Sequence, residues 1–317
     1  MRVIAIEEHF NIEEVLTAPE QGVRQDPAGP LLYDIGEGRL AAMDAAGIDV
    51  QVLSSSTTSV QYFEPARSVE LATKVNDHLA EGIARHPDRF AGFATLPMPD
   101  PSAAVPELER TVREYGFKGA MIHGHTNGKF MDNQEYWPIL EAAEGLGVPI
   151  YLHPTFPPPE VFQAYYSGLE PQIAFPLSGA GWGWHVDTGM HVLRMVLAGI
   201  FDRFPRLQLI IGHMGEAIPF SLARTESVMG RMGGPLKLER RVSEYFLENV
   251  FITTSGYFTN PPLMCALAVF GVDRIIFSVD YPYADNDEGV AFLKAAPISE
   301  EDREKIAHGN VEALLAL

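Results

Sequence analysis

Four segments of this sequence end on residues able to ligate a metal or move a proton. The first is Val3-Ile4-Ala5-Ile6-Glu7-Glu8-His9. Strand side chains alternate with a period of two, so Glu7 and His9 share one side and Glu8 takes the other. A carboxylate and an imidazole on one face at a strand end suit two ligands of one divalent cation. The same spacing also suits an acidic surface turn with a hydrogen-bonded histidine. The apolar run 148–152 leads to His153, the run 207–211 leads through Gly212 to His213, and the run from Arg274 ends Phe277-Ser278-Val279-Asp280. Taken singly, a strand-end histidine bonds a neighbouring carbonyl and a strand-end aspartate caps the next helix. Four such ends together point to one metal-binding mouth, whose nitrogen and oxygen donors suit zinc, manganese or iron(II).

His213-Met214-Gly215-Glu216 adds a proton-handling pair, because Glu216 could accept the Nδ1 proton of His213 and keep that ring oriented. Pro219 opens the following helix and Arg224 lies inside it. That arginine is either solvated beside Glu226 or aimed at a substrate carboxylate or phenolate. His123 and His125 follow a strand at 119–122 and have three readings: ligand, substrate contact or loop histidine. Their nearness to a strand end favours at least one lining the mouth. His185 and His191 flank a long loop and are given a mainly structural reading. Trp182, Trp184, Phe10 and Phe156 are candidates for an apolar pocket wall or for ordinary packing. No glycine-rich passage matches a P-loop or a dinucleotide fingerprint.

These residues need elements that bring them together. Strand-like apolar runs lie at 3–6, 50–53, 90–95, 119–122, 148–152, 207–211, 250–254 and 274–279. Stretches with apolar spacing of three and four separate most of them, at 66–84, 102–115, 135–145, 189–201, 219–230, 262–270, 288–294 and from 300 to the end. Eight runs alternating with helices predict a parallel sheet, and eight is the count of a closed (β/α)₈ barrel; a doubly wound open sheet is the alternative. The chain of 317 residues accommodates one barrel domain over 1–317. Segments 11–37 and 154–189 are long, Pro- and Gly-rich, and follow strands at their C-terminal ends. In a barrel that is the catalytic face, so both are expected to cover a site.

Acidic residues number 42 against 23 Lys and Arg, a formal charge of −19. Binding to a phosphate backbone wants the opposite sign, so nucleic acid is not an expected partner. An anionic small molecule would need local positive charge from a metal or an arginine. The lone Cys265 forms no intrachain disulfide, which sets a reducing, cytoplasmic compartment as the expectation. The N-terminal apolar run is too short and too acidic for a signal peptide, and no stretch approaches the ~20 residues of a membrane span.

With these residues in view, the chain resembles the amidohydrolase-related family of metal-dependent, non-oxidative aromatic acid decarboxylases, which includes the γ-resorcylate, 2,3-dihydroxybenzoate and 5-carboxyvanillate enzymes. The anchors are Glu7-Glu8-His9-Phe10, Tyr151-Leu152-His153-Pro154, and Phe201-Asp202-Arg203-Phe204-Pro205 leading to Gly212-His213-Met214-Gly215-Glu216. To these are added Ile252-Thr253-Thr254-Ser255-Gly256 and Phe277-Ser278-Val279-Asp280-Tyr281-Pro282. They span essentially the whole chain. Amidohydrolases of the hydrolytic branch carry His-x-His at the first anchor, where the decarboxylase branch carries Glu-x-His.

The resemblance implies a single distorted (β/α)₈ barrel with long loops at its C-terminal face. It implies that Glu7, His9, His153 and Asp280 ligate one Mn²⁺ or Zn²⁺. His213 with Glu216 would form the catalytic dyad, Asp280 would protonate the ring carbon bearing the carboxylate, and Arg224 and His123 would contact the aromatic acid. A homodimer or homotetramer is the implied assembly. Many members carry asparagine in place of His123, so the resemblance does not single out one acid. Without it, the same residues suit metal-assisted hydrolysis of an amide or lactone. A non-catalytic barrel is disfavoured by the intact ligand set.

Overall fold

The computed structural model describes residues 1–18, 28–57, 59–232 and 237–317. The strands are β1 Ile4–Phe10, β2 Val50–Ser55, β3 Phe90–Gly92, β4 Ala94–Thr95, β5 Ala120–His123, β6 Ile150–His153, β7 Leu209–Ile211, β8 Val250–Thr253 and β9 Ile275–Ile276. All pairings are parallel, in the orders β1-β2-β3 and β4-β5-β6-β7-β8-β9. The run expected at 90–95 is thus split at Phe93, whose N–H bonds Leu53 O while Ala94 N–H turns to Gly119 O. One segment therefore joins both sheets.

The first and last strands form no ladder among the described residues. They meet instead through His9 N–H on Tyr281 O at 2.7 Å and Glu7 N–H on Ser278 Oγ at 2.9 Å. The strand expected over 274–279 stops at Ile276 because its donors go elsewhere. Phe277 N–H bonds Ile306 O, Ser278 N–H bonds Thr254 Oγ1, and Val279 N–H bonds the Glu8 carboxylate. The result is a parallel α/β fold of the distorted (β/α)₈ barrel type.

Alternation along the strands sorts two apolar layers. Ile4, Ile6, Val52, Phe93, Met121, Tyr151, Ile210 and Ile276 pack with Val311 and Leu315 of the C-terminal helix as the inner core. Val3, Ala5, Leu53, Ile122, Leu152, Leu209 and Ile252 face the surrounding helices. Two residues beyond Met121, Tyr151, Ile210 and Phe251, the same alternation turns His123, His153, Gly212 and Thr253 inward at one end of the barrel.

Both long segments contain short helices. Glu13–Leu16 and Gly29–Leu32 occupy parts of 11–37, of which 19–27 lie outside the described residues. Pro159–Tyr165 and Pro171–Ser178 occupy the second. The next helix begins at Gly183, six residues before the expected start at 189. The Gly-Trp-Gly-Trp passage concealed that start. Its glycines serve close packing: a Cβ on Gly183 would fall 2.2 Å from Ser178 O, and one on Gly181 2.8 Å from Pro176 O. No helix among the described residues is long and apolar enough to cross a membrane.

Candidate metal centre and proton relay

Glu7 and His9 reach the inner face because of an irregularity in β1. Its register against β2 shifts between Ala5 and Glu8. Without that shift, the alternation that turns Ile4 and Ile6 inward would carry Glu8 inward as well. Glu8 instead points away. Its carboxylate takes Val279 N–H at 2.9 Å and Tyr281 N–H at 3.1 Å, the two amides flanking Asp280. Burial pushes its carboxyl up to about 8 against the pull of these two bonds and of the buried Arg39. Glu8 therefore anchors the segment that carries Asp280.

Glu7, His9, His153 and Asp280 offer ligand atoms that all lie within 4.8 Å of one another. Oε2 of Glu7 accepts hydroxyl protons from Tyr151, Ser255 and, at 3.0 Å, Thr253. Oε1 accepts none, although it is buried, and it stands 3.4 Å from His153 Nε2. Nε2 of His9 also lacks a hydrogen bond and lies 3.1 Å from Asp280 Oδ1. A Cβ on Gly212 would fall 2.8 Å from both Glu7 oxygens, so only glycine leaves that carboxylate room. Buried unpaired polar atoms are costly. Two of them facing the same small space, in a set of two nitrogens and two oxygens, fit a divalent cation of the manganese or zinc kind.

The histidines are oriented from behind. Nδ1 of His153 faces Pro154 O at 2.8 Å, Thr57 Oγ1 at 2.9 Å and His123 Nδ1 at 3.2 Å. Donation from Nδ1–H to that carbonyl leaves the Nε2 lone pair free toward Glu7. Burial, then His9, His123 and His213, hold the His153 imidazolium well below the ordinary histidine value, so the neutral ligand form prevails. His123 is itself buried. Gln61 pins its backbone on both sides, and burial followed by His9 brings its imidazolium down to about 3.

His213 and Glu216 sit on a tight turn after β7. His213, Met214, Glu216 and Ala217 all have positive φ, between 48° and 62°, which costs non-glycine residues roughly 1–3 kcal/mol each. The turn sets His213 Nδ1 2.8 Å from Glu216 Oε1. Its Nε2 faces Asp280 Oδ2 at 3.6 Å and Glu7 Oε1 at 3.7 Å. Burial opposes charge on His213, but Glu216, Glu7 and Asp280 together push its imidazolium well above the ordinary value. Burial likewise opposes ionisation of Asp280, and His213 and His9 outweigh it, leaving that carboxyl below its usual range.

Other expected residues are distributed differently. Trp184 lies 6.0 Å from the His153 ring and 5.6 Å from Phe156, forming part of an aromatic wall with Tyr257, 6.4 Å from His213. Phe10 is in the outer core and Trp182 is exposed. His125 accepts Gly128 N–H at 3.1 Å, and His191 accepts Met131 N–H at 2.7 Å. Arg224 is not brought to the cluster. It lies exposed on the helix Ile218–Met229 and has no ionic or hydrogen-bonding partner among the described residues. Residue type and spacing do not mark Glu8, Tyr151, Thr57 and Ser255 as supports, nor His185, whose Nδ1 lies 2.7 Å from Glu216 Oε2. Only the hydroxyl run Thr253-Thr254-Ser255 gave a visible signal.

A family model described as amidohydrolase matches residues 8–317. The chain is 40% identical to decarboxylase orsB of Emericella nidulans over 99% of its own length and 96% of the relative's. It is 38% identical to the γ-resorcylate decarboxylase of Polaromonas sp., covering 99% and 98%. It superposes with a TM-score of 0.91 on a dihydroxybenzoic acid decarboxylase from Polaromonas sp., 38% identical, covering 100% and 97%; that crystal structure holds manganese and the inhibitor 2-nitroresorcinol.

Proposed function

Since this chain belongs to the amidohydrolase family, we propose that it is a carbon–carbon lyase that removes CO₂ from a hydroxylated aromatic carboxylic acid, with a divalent metal and without oxidation. The observation that carries this reading is the buried Glu7–His9–His153–Asp280 cluster, with orphaned atoms on Glu7 and His9 and a charged dyad beside it. The similarity to aromatic acid decarboxylases supports the same chemistry. Hydrolysis of an amide or lactone has no comparable support.

Glu7, His9, His153 and Asp280 would hold one Mn²⁺ or Zn²⁺, which supplies positive charge for the substrate carboxylate and its ortho oxygen. The chain's own groups do the rest. His213, charged at rest beside Glu216, Glu7 and Asp280, first gives its Nε2 proton to Asp280 and then, neutral and steadied by Glu216, takes the proton of the ortho hydroxyl. Asp280 is held ionised, so it must receive a proton before giving one, and His213 Nε2 at 3.6 Å is a donor within reach. Asp280 then delivers that proton to the ring carbon bearing the carboxylate, which becomes tetrahedral. The bond to the carboxylate breaks, its electron pair returns to the ring, and CO₂ leaves. Water restores the phenolic proton. Trp184, Phe156 and Tyr257 flank the centre with apolar faces suited to a flat ring. His123 supports the substrate site from behind, through His153. The substrate contact proposed for Arg224 rests on charge alone, in a chain of net charge −19, since the side chain lies exposed and outside the cluster.

The chain acts as one domain over 1–317, in the cytoplasm, as a homodimer or homotetramer. The exposed apolar side chains of Trp182, Val186, Met190 and Phe220, the last 88% exposed, support an assembly. The function is tested with hydroxybenzoates carrying the hydroxyl ortho, meta or para, assayed with Mn²⁺ or Zn²⁺. CO₂ release restricted to ortho-hydroxy acids is the expected result; no release from any of them overturns it.

A further inference from the structure

His185 stands on the helix Gly183–Leu197, 31 residues before Glu216 in the chain, and is buried beside it. Its Nδ1 lies 2.7 Å from Glu216 Oε2, while His213 Nδ1 lies 2.8 Å from Glu216 Oε1. The two imidazoles thus grip opposite oxygens of one carboxylate, their ring centroids 5.2 Å apart. Neither Glu216 oxygen and neither Nδ1 is left unpartnered, so this trio is a hydrogen-bonded chain rather than a second cation site. At its other edge, His185 Nε2 donates to Ala180 O at 3.0 Å, in the stretch that follows the helix Pro171–Ser178.

The backbone is shaped for this contact. Gly189 lies one turn beyond His185 on the same helix face. A Cβ there would stand 2.8 Å from the carbonyl oxygen of Glu216, so the helix can come this close only with glycine at that position. The turn it meets is the one with four non-glycine residues at positive φ. A turn so strained needs outside contacts to fix it.

We propose that His185 is a positioning residue for the decarboxylation, clamping Glu216 by its second oxygen so that the first stays on His213 Nδ1, with Gly189 providing the close helix approach. The inference rests on the function proposed above. With the clamp in place Glu216 cannot rotate, and His213 Nε2 stays directed between Asp280 and Glu7. Without it, Glu216 can turn either oxygen, or both, toward His213, and the imidazole loses its fixed direction. The clamp also ties the dyad to the segment that follows β6, through Ala180.

The test compares His185→Phe, His185→Asn and Gly189→Ala with the parent in the manganese-loaded full chain. Asparagine places an amide N–H near the position of the imidazole Nδ1–H. His185→Phe is expected to lower kcat about 10–100-fold with KM changed less than about 3-fold and metal content unchanged. His185→Asn is expected to recover at least about a third of the parent kcat. Gly189→Ala is expected to reproduce the kcat loss with His185 intact. The same variants, prepared metal-free and ¹⁵N-labelled at histidine, are examined by proton NMR. The parent should show a low-field His213 Nδ1–H resonance that His185→Phe loses and His185→Asn keeps. Equal kcat in parent and His185→Phe, or an unchanged resonance, overturns the clamp. So does an Asn variant as impaired as the Phe variant. If the parent itself releases no CO₂, the proposed function fails, and the resonance alone then decides the clamp.

Discussion

Glu7 and His153 stand 3.4 Å apart, Oε1 to Nε2, with no hydrogen bond on the carboxylate oxygen, while three hydroxyls converge on its other oxygen. The carboxylate is fixed through one atom and left open at the other. Burial raises the Glu7 carboxyl, partly offset by His213, so the charged carboxylate needs further positive charge beside it. A cation between Glu7, His9, His153 and Asp280 supplies that charge.

Glu7→Gln and His153→Ala should each weaken metal binding by at least ~10–100-fold, the scale reached when even a supporting partner is lost. Elemental analysis of purified variants measures this. Full occupancy in both contradicts the ligand assignment.

Tyr151→Phe removes one hydroxyl from Glu7, together with its bond to Thr253 Oγ1 at 3.0 Å, and leaves the ring in place. The carboxylate loses a charge-assisted hydrogen bond, worth about 1.5–3 kcal/mol. Metal affinity, measured by chelator competition, should fall about 10–100-fold while the ligands stay intact. Unchanged affinity means that the hydroxyl orients nothing.

His213→Asn should retain metal and lose most turnover, about 10²–10⁴-fold in kcat. Steady-state assay beside elemental analysis separates the two effects. Loss of metal in step with activity moves His213 from the dyad to the ligand set.

Much of this site was legible in the sequence, because apolar runs that end in His or Asp fix both the strand and the direction in which it ends. The period of two placed Glu7 and His9 together and Glu8 apart, as observed. It did not show which of them faces the inner core, since that depends on the irregularity between Ala5 and Glu8. The last strand is shorter than its apolar run, because donors that look available in sequence are taken by Ile306, Thr254 and Glu8. His185 was invisible as a partner of Glu216, because a helix-to-turn approach through Gly189 leaves no periodic signal.

Arg224→Met should leave the melting temperature within about 1 °C, since an exposed side chain without partners among the described residues contributes little to stability. If it contacts the substrate anion, kcat/KM falls at least ~5-fold, the scale of about 1 kcal/mol or more for a charged hydrogen bond. Unchanged kinetics make it a surface residue.

Stability should fall as the pH drops below the ordinary histidine range. Burial, then His125 and Arg194, bring the His191 imidazolium down to about 3, and its Nε2 accepts Met131 N–H. A histidine depressed in the fold contributes stability that is fully present above its unfolded value of 6.5 and lost as pH falls toward 3. Between pH 6.5 and 5 that loss is about 1–2 kcal/mol for one such group. His191→Gln keeps an acceptor without the titration, so its unfolding free energy should fall less steeply over this window. An identical slope contradicts the account.

The central claim is that a proton replaces CO₂ on the aromatic ring. Manganese-loaded protein incubated in D₂O with each of the ortho-hydroxybenzoates used for the functional test, with product analysed by mass spectrometry and NMR, tests it directly. The account predicts one CO₂ released per molecule of product and one deuterium on the carbon that lost it. Recovery of every one of these acids intact, or cleavage of amides or lactones with no CO₂ released, contradicts it.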